Sequence, residues 1–64
     1  MTKEDFRRWR LRLDLTQAQA AKELGRGKRQ VEAYERGEAE IPLYIELATR
    51  ALLHRYDIWT PQDG

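Results

Sequence analysis

The sequence predicts an all-α domain, a compact bundle of four short helices, and three observations lead to this fold class. Apolar residues recur at helical spacing in four successive stretches, and no stretch shows the strict alternation typical of a strand. Threonine and glycine residues separate these stretches at positions that favour helix starts and helix stops. A length of 64 residues allows one domain with a modest core. We therefore expect residues 1–64 to form a single domain, with residues 57–64 as a tail.

Helix 1 is predicted to begin near Thr2 and to end before Asp14 and Leu15. Thr2 is a good N-cap, and Glu4 and Asp5 in the first turn complement the helix dipole. Spacings of three and four residues place one apolar stripe on the core, formed by Phe6, Trp9 and Leu13.

Helix 2 has the clearest start in the chain. Thr16 is followed three residues later by Gln19, which is the capping-box pattern. Gly25 follows the helix, where a stop with positive φ favours glycine. The inner face is expected to comprise Ala20, Ala21 and Leu24.

Helix 3 is predicted from about Lys28 to Arg36, with Gly27 as its N-cap and Gly37 as its stop. Its inner residues are Val31 and Tyr34. Only Arg26 and Gly27 remain for the turn after Gly25, so helices 2 and 3 are joined very closely.

Helix 4 is predicted to begin at Pro42, because proline is favoured at the first helical position, and to end near Tyr56. Its expected inner stripe consists of Tyr44, Leu47, Ala48, Ala51 and Leu52. Two large apolar residues in the tail, Ile58 and Trp59, either fold back over the core or join a dimer interface.

Composition argues against an enzyme. The chain has no cysteine and one histidine, so neither a disulfide nor a thiolate metal site is expected, and His54 receives no role. We find no carboxylate pair, no nucleophile with a base, and no glycine loop that would cradle a phosphate. No metal and no small-molecule cofactor is therefore expected.

No apolar run approaches the roughly 20 residues of a membrane span. The first ten residues, MTKEDFRRWR, lack the apolar stretch of a signal peptide. We expect a cytoplasmic protein with no membrane partner.

The charge distribution is more informative than the net charge of +1. Residues 22–29 carry four bases against one acid, Glu23, whereas acids dominate further along the chain. This local basic face fits the electrostatic footprint of a nucleic-acid-binding protein, and the alternative is a solvated charge run. The four bases are Lys22, Arg26, Lys28 and Arg29.

Two short helices joined by a tight, glycine-containing turn form a helix-turn-helix unit. Such a unit reads base edges in the major groove with the outer face of its second helix, while the start of its first helix meets the backbone. The basic outer face of helix 3 favours DNA as the partner. The main alternative is a protein-interaction module of the same fold, such as an antitoxin-like or accessory protein.

The stretch from Thr16 to Gly37 resembles the helix-turn-helix of the lambdoid phage repressor and Cro family. With helix 1, the resemblance covers roughly Phe6 to Ala48. Its marks are found in order along the chain: Arg10, Leu13 and Leu15, then Gln17, Ala21, Gly25, Val31, Tyr34, Glu35 and Gly37.

The resemblance implies specific roles. Gln17 matches a glutamine that hydrogen-bonds a phosphate and steadies a base-reading residue, although it could also be a plain exposed helix former. Arg10 and Glu35 match a largely buried salt bridge between helices 1 and 3. The positions that meet base edges are Lys28, Arg29, Glu32 and Ala33, of which Arg29 could instead be a surface charge. We expect phosphate contacts from Thr16, Gln17, Arg26 and Arg36.

The chain departs from the family pattern in three places. Gly27 stands where Ser or Thr is usual, which weakens the cap of the recognition helix by a few tenths of a kcal/mol. Glu38 and Glu40 occupy a loop that in many relatives brings polar or basic groups near phosphate. The fifth helix, which in many relatives helps to form a dimer, is absent or reduced to residues 57–64.

The expected partner is double-stranded DNA, bound by a homodimer that is weak or absent in free solution. One short recognition helix reads too few base pairs for a genome, and paired half-sites solve this. Helix 4 and the tail supply the dimer surface in this hypothesis, around Leu53, Ile58 and Trp59.

Overall fold

The computed structural model describes residues 1–58 of the chain, with side chains as far as Arg55. Within this range the chain forms four α-helices and no strand, so the predicted all-α class is confirmed. α3 packs against α1 and α2, and α4 packs against the same two helices. The helices are α1 (Lys3–Arg12), α2 (Gln17–Leu24), α3 (Lys28–Arg36) and α4 (Leu43–Ile58).

The predicted N-caps of α1 and α2 are confirmed, and both are complete capping boxes. The Thr16 hydroxyl accepts a hydrogen bond from the Gln19 backbone N–H, and the Gln19 side chain accepts one from the Thr16 N–H. Thr2 and Asp5 make the same exchange at α1, where the hydrogen bonds from Thr2 lower the pKa of the Asp5 carboxyl. These starts are therefore determined by local sequence.

The predicted glycine stops are also confirmed. Gly25 ends α2 with φ +69°, and Gly37 ends α3 with φ +79°, both in the left-handed region. Asp14, in the connection between α1 and α2, has φ +57° without being glycine. Aspartate tolerates this conformation better than most residues, and sequence patterning did not predict it.

All four helices contribute to one core. The Phe6 ring lies between two other aromatic rings, with centroid distances of 5.3 Å to Trp9 and 5.5 Å to Tyr34. Both pairs are tilted, which is a favourable geometry for aromatic contacts. The buried apolar residues are Phe6, Trp9, Ala20, Ala21, Val31, Tyr34 and Ile45, and Leu13 and Leu24 pack against them.

The predicted inner stripe of α4 is wrong in part. The buried residues are Ile45 and Thr49, whereas Tyr44 and Leu47 are 56% and 51% exposed and Ala51 is also exposed. Only Ala48 and Leu52 of the predicted stripe lie partly inside. The physical reason is that α4 carries apolar residues on two faces, so helical periodicity could not decide which face meets the core.

The end of α4 also differs from the prediction. Pro42 lies just before the helix, where its carbonyl accepts hydrogen bonds from the N–H groups of Ile45 and Glu46. The helix then continues to Ile58, past the predicted end near Tyr56, so Asp57 belongs to α4 and not to a tail. Trp59 lies outside the described residues, as does the side chain of Ile58, and their predicted alternatives stay predictions. No helix in residues 1–58 is long and apolar enough to cross a membrane.

Candidate nucleic-acid interface

The turn between α2 and α3 is short and internally hydrogen-bonded. The Arg26 N–H donates to the Ala21 carbonyl at 2.8 Å, and the left-handed Gly25 directs the chain into the next helix. Small Ala20 and Ala21 are buried on α2, which lets α3 approach closely while Val31 is buried on its inner face. The result is two helices that present the opposite face of α3 to solvent.

The exposed face of α3 begins with two bases. Lys28 and Arg29 are both exposed in the first turn of the helix. The Lys28 ammonium lies 3.9 Å from the Glu32 carboxylate one turn later. Glu32 and Ala33 are both partly buried, so these two of the four expected base-reading positions are less exposed than Lys28 and Arg29.

The helix start carries no side-chain cap, since Gly27 occupies the N-cap position. Its backbone is nevertheless in the extended conformation that an N-cap requires, with φ −79° and ψ 156°. No atom lies within 4 Å of the Cβ that another residue would place there. The position can therefore accept a larger residue without a clash.

Arg10 joins three parts of the fold. Its guanidinium donates to both carboxylate oxygens of Glu35, with Nε 2.5 Å from Oε2 and Nη2 3.0 Å from Oε1. Its Nη1 donates to the Leu15 carbonyl at 2.9 Å, in the connection that leads to α2. The two side chains are 12% and 8% exposed, so the pair is largely desolvated. Two parallel hydrogen bonds of this kind determine both the distance and the relative orientation of the two side chains.

Glu35 also accepts a hydrogen bond from a residue of α2. The Gln17 Nε2 lies 3.3 Å from the Glu35 Oε1, so one carboxylate is hydrogen-bonded to residues of α1 and α2. This bond orients the Gln17 amide at the start of α2. A glutamine side chain that is held in place loses less conformational freedom when it binds a further group.

An open cavity of about 550 Å³ lies where α1, α2 and α3 meet. It brings together six of the site residues expected from sequence and adds Arg7, which the sequence reasoning did not assign. Helical spacing is the sequence feature that points to Arg7, because Arg7 precedes Arg10 by three residues and so lies on the same side of α1. The lining consists of Arg7, Arg10, Thr16, Gln17, Glu32, Glu35 and Arg36.

Two further expected phosphate contacts have neighbours within the chain. Arg26 lies over the ring of Tyr44 at 5.0 Å from its centroid and donates a hydrogen bond to its hydroxyl. The Arg36 guanidinium lies 3.8 Å from the Glu38 carboxylate, with both side chains more than half exposed. Tyr44, which sequence reasoning placed on the core, is thus a surface residue that orients Arg26 instead.

Glu32 connects the cavity to the first base of α3. Lys28 pairs with Glu32, and Glu32 lines the cavity, so Lys28 lies next to the cluster around Gln17. Arg29, Arg26 and Ala33 do not line the cavity. Among residues 1–58, no group of three His, Cys, Asp or Glu side chains could hold a metal ion.

A family whose description is helix-turn-helix domain matches residues 4–57 of the chain. No curated protein and no solved structure matched the chain.

Proposed function

The chain belongs to the helix-turn-helix domain family, and from that membership we propose that it binds double-stranded DNA sequence-specifically as a small regulator of transcription. The resemblance of residues 16–37 to phage repressors and Cro proteins supports a repressor-like role. α3 is the recognition helix in this proposal, and it enters the major groove.

One observation carries the proposal. The exposed Lys28 at the start of α3 pairs with Glu32, which lines a cavity that also holds cationic and amide groups from α1 and α2 and Arg36 from α3. Arg29 is exposed beside Lys28. Lys28 and Arg29 supply donors that match the acceptors on guanine in the major groove, while the cavity supplies donors for phosphate. A DNA duplex presents base edges and phosphates side by side, which fits this arrangement.

The base-reading residues are Lys28, Arg29, Glu32 and Ala33. Arg29 is the strongest discriminator, because its planar fork matches both guanine acceptors at once. The pair between Lys28 and Glu32 holds the lysine along the helix surface, so lysine contributes less discrimination. The Ala33 methyl group leaves room for a base or touches a thymine methyl.

The phosphate-binding residues are centred on the start of α2. The amides of Gln17 and Ala18 precede the first intrahelical bond, which runs from the Ala20 N–H to the Thr16 carbonyl. A helix N-terminus with free N–H groups favours an anion. Side-chain donors around it come from Thr16, Gln17 and Arg36, and the cavity adds Arg7 to this set. Arg26 follows the other end of α2 and contacts a different phosphate in this proposal.

Two copies bind one operator in this proposal. Nine residues of α3 span about 14 Å, which covers only one segment of the major groove. Paired half-sites related by a two-fold axis double the number of bases that are read.

Selection from a random duplex pool at fixed salt tests the proposal. We expect enrichment of a site with two related half-sites that contain guanines. Fluorescence anisotropy should then give an affinity about a thousandfold tighter for the selected duplex than for a scrambled one. Equal affinity for both duplexes at every salt concentration would contradict sequence-specific binding.

A protein-interaction module of the same fold is the second candidate. The exposed leucines on α4 favour it, because apolar surface of this kind is typical of a protein contact. The same experiment separates the two candidates, since such a module would not bind any duplex even at low salt.

A further inference from the structure

α4 has a second apolar face that none of the other helices covers in residues 1–58. Leu43, Leu47 and Ala51 follow one another at intervals of four residues, which places them on one stripe, with Tyr44 beside it. Leu43 is 68% exposed and Leu47 is 51% exposed, whereas Ile45 on the opposite side is 1% exposed. We call these four residues the outer face of α4.

We propose that the outer face of α4 docks against the same face of a second copy of this chain, with the two helices antiparallel. This inference rests on the proposed function, because the dimer surface would pair two copies of the chain on one operator. It differs from the sequence-based hypothesis, which used Leu53. Leu53 is partly buried against the core, so it has less surface to offer.

The stripe is complementary to itself. Its centre is Leu47, and a two-fold axis at this point places Leu47 against the partner's Leu47. The same axis places Leu43 against the partner's Ala51, so a large side chain meets a small one at both ends. Positions 43, 47 and 51 are uncharged, and the exposed Arg50 borders the stripe, three residues after Leu47.

Charge favours the antiparallel arrangement. The loop before α4 carries Glu38 and Glu40, whereas the second half of the helix carries Arg50, His54 and Arg55. The side chains of Arg50 and Arg55 are 70% and 61% exposed, although each also contacts a glutamate of its own chain. Antiparallel packing sets the acidic end of one copy beside the basic half of the other, and parallel packing would set like charges together.

The outer face also adjoins the proposed DNA interface. Tyr44 belongs to the outer face, and it contacts Arg26, which lies in the turn of the helix-turn-helix. The Arg26 guanidinium lies over the Tyr44 ring and donates a hydrogen bond to its hydroxyl. With the two-fold axis perpendicular to both helices, the Tyr44 edges of the two copies lie on the same side of the dimer. Both Arg26 side chains then face one duplex, as two half-sites require.

The small size of the stripe predicts a weak dimer in solution. From residue 43 to residue 51 the helix rises about 12 Å, which is short compared with a standard protein interface. A duplex with two half-sites holds two copies at high effective concentration, so it strengthens the same contact. Dimer formation should therefore be stronger on DNA than off it.

A DNA-free cross-linking experiment tests the surface. The chain has no cysteine, so Leu47→Cys introduces a single thiol at the centre of the stripe. Under oxidising conditions at millimolar protein, we expect about tenfold more disulfide-linked dimer than for Leu11→Cys, because a disulfide needs Cα atoms about 5–6 Å apart. Leu11 is the matched control, since it is 57% exposed on α1. Equal cross-linking of the two variants would overturn the proposal.

A mixture of two cysteine variants tests the antiparallel orientation of the two copies. Leu43→Cys and Ala51→Cys should cross-link to each other more readily than either variant cross-links to itself. The opposite preference would overturn the antiparallel arrangement.

A DNA experiment separates this proposal from the proposed function. Leu47→Glu should weaken binding to a duplex with two half-sites by at least about tenfold, while binding to a single half-site stays within about twofold of the wild type. Leu11→Glu should change neither. If Leu47→Glu leaves both affinities unchanged, the outer face is not the dimer surface. If the cysteine variant cross-links but no duplex binds, the proposed function fails and the dimer surface stands.

Discussion

Arg10 and Glu35 hold α1 against α3 through two hydrogen bonds between a largely buried guanidinium and a largely buried carboxylate. The same arginine donates to the Leu15 carbonyl, so it also fixes the connection to α2. The pair therefore links the helix that reads DNA in our proposal to the two helices that support it. Its removal should affect the whole domain and not one surface.

Glu35→Ala should lower the free energy of unfolding by about 3–5 kcal/mol, because it leaves the Arg10 charge buried without its partner. A domain of this size has a total stability near the low end of ~5–15 kcal/mol, so the variant would be close to unfolded. Urea denaturation followed by circular dichroism measures the change. The matched control is Glu38→Ala, whose carboxylate lies in an exposed ion pair and whose loss should cost less than about 1 kcal/mol. Equal losses for the two variants would show that Glu35 has no special role.

Gly27→Ser should raise the free energy of unfolding by about 0.5 kcal/mol. The introduced hydroxyl caps the first turn of α3, and the backbone already has the N-cap conformation. Gly25→Ser is the matched control, because both sites are open to a Cβ but Gly25 has φ +69°. That variant should lose about 1 kcal/mol. Thermal melts of the two variants should therefore shift in opposite directions, and a shift in the same direction would contradict this account of the turn.

Arg29→Ala should cost about 1–3 kcal/mol of affinity for the selected duplex and flatten the preference at one or two base positions. The reason is that its guanidinium fork reads guanine in our proposal. Anisotropy titrations against a set of single-base variants of the site measure the effect. A uniform loss for every duplex would instead assign Arg29 to phosphate.

Gln17→Ala should weaken DNA binding without changing base preference, in contrast to Arg29→Ala. It removes the amide that Glu35 orients at the start of α2, so selected and scrambled duplexes should lose affinity by similar factors. A loss confined to the selected duplex, measured in the same titrations, would show that Gln17 takes part in reading sequence. The urea midpoint of the variant controls for any change in stability.

Arg7→Ala should reduce the salt dependence of DNA binding by about one unit in the slope of log affinity against log salt. Arg7 lines the cavity at the start of α2, where a phosphate is expected. Arg8→Ala is the control, because Arg8 is the neighbouring exposed base of α1 but faces away from this cavity and lies near Asp5. If both variants change the slope equally, the effect is one of overall charge and the assignment of Arg7 to phosphate fails.

Local features were predictable from sequence. The starts of α1 and α2, the left-handed glycines and the bounds of α3 depend on residues within one or two turns of each other, so their patterns are complete in the sequence. The association of Arg10 with Glu35 came from family resemblance, because the two residues are 25 positions apart and no local rule joins them. The left-handed Asp14 was missed, since nothing beside it distinguishes it from an ordinary loop aspartate.

By itself, the sequence determined that residues 1–58 form four helices and a helix-turn-helix, because caps, glycine stops and helical periodicity act over a few residues. Only the tertiary structure decided which face of α4 is buried, since that helix has an apolar stripe on each side and packing must select one. It likewise decided that Tyr44 orients Arg26 and that Arg7 joins the cavity beside Gln17. These relationships depend on how whole helices are placed against one another, and helix placement is determined by the packing of the complete core.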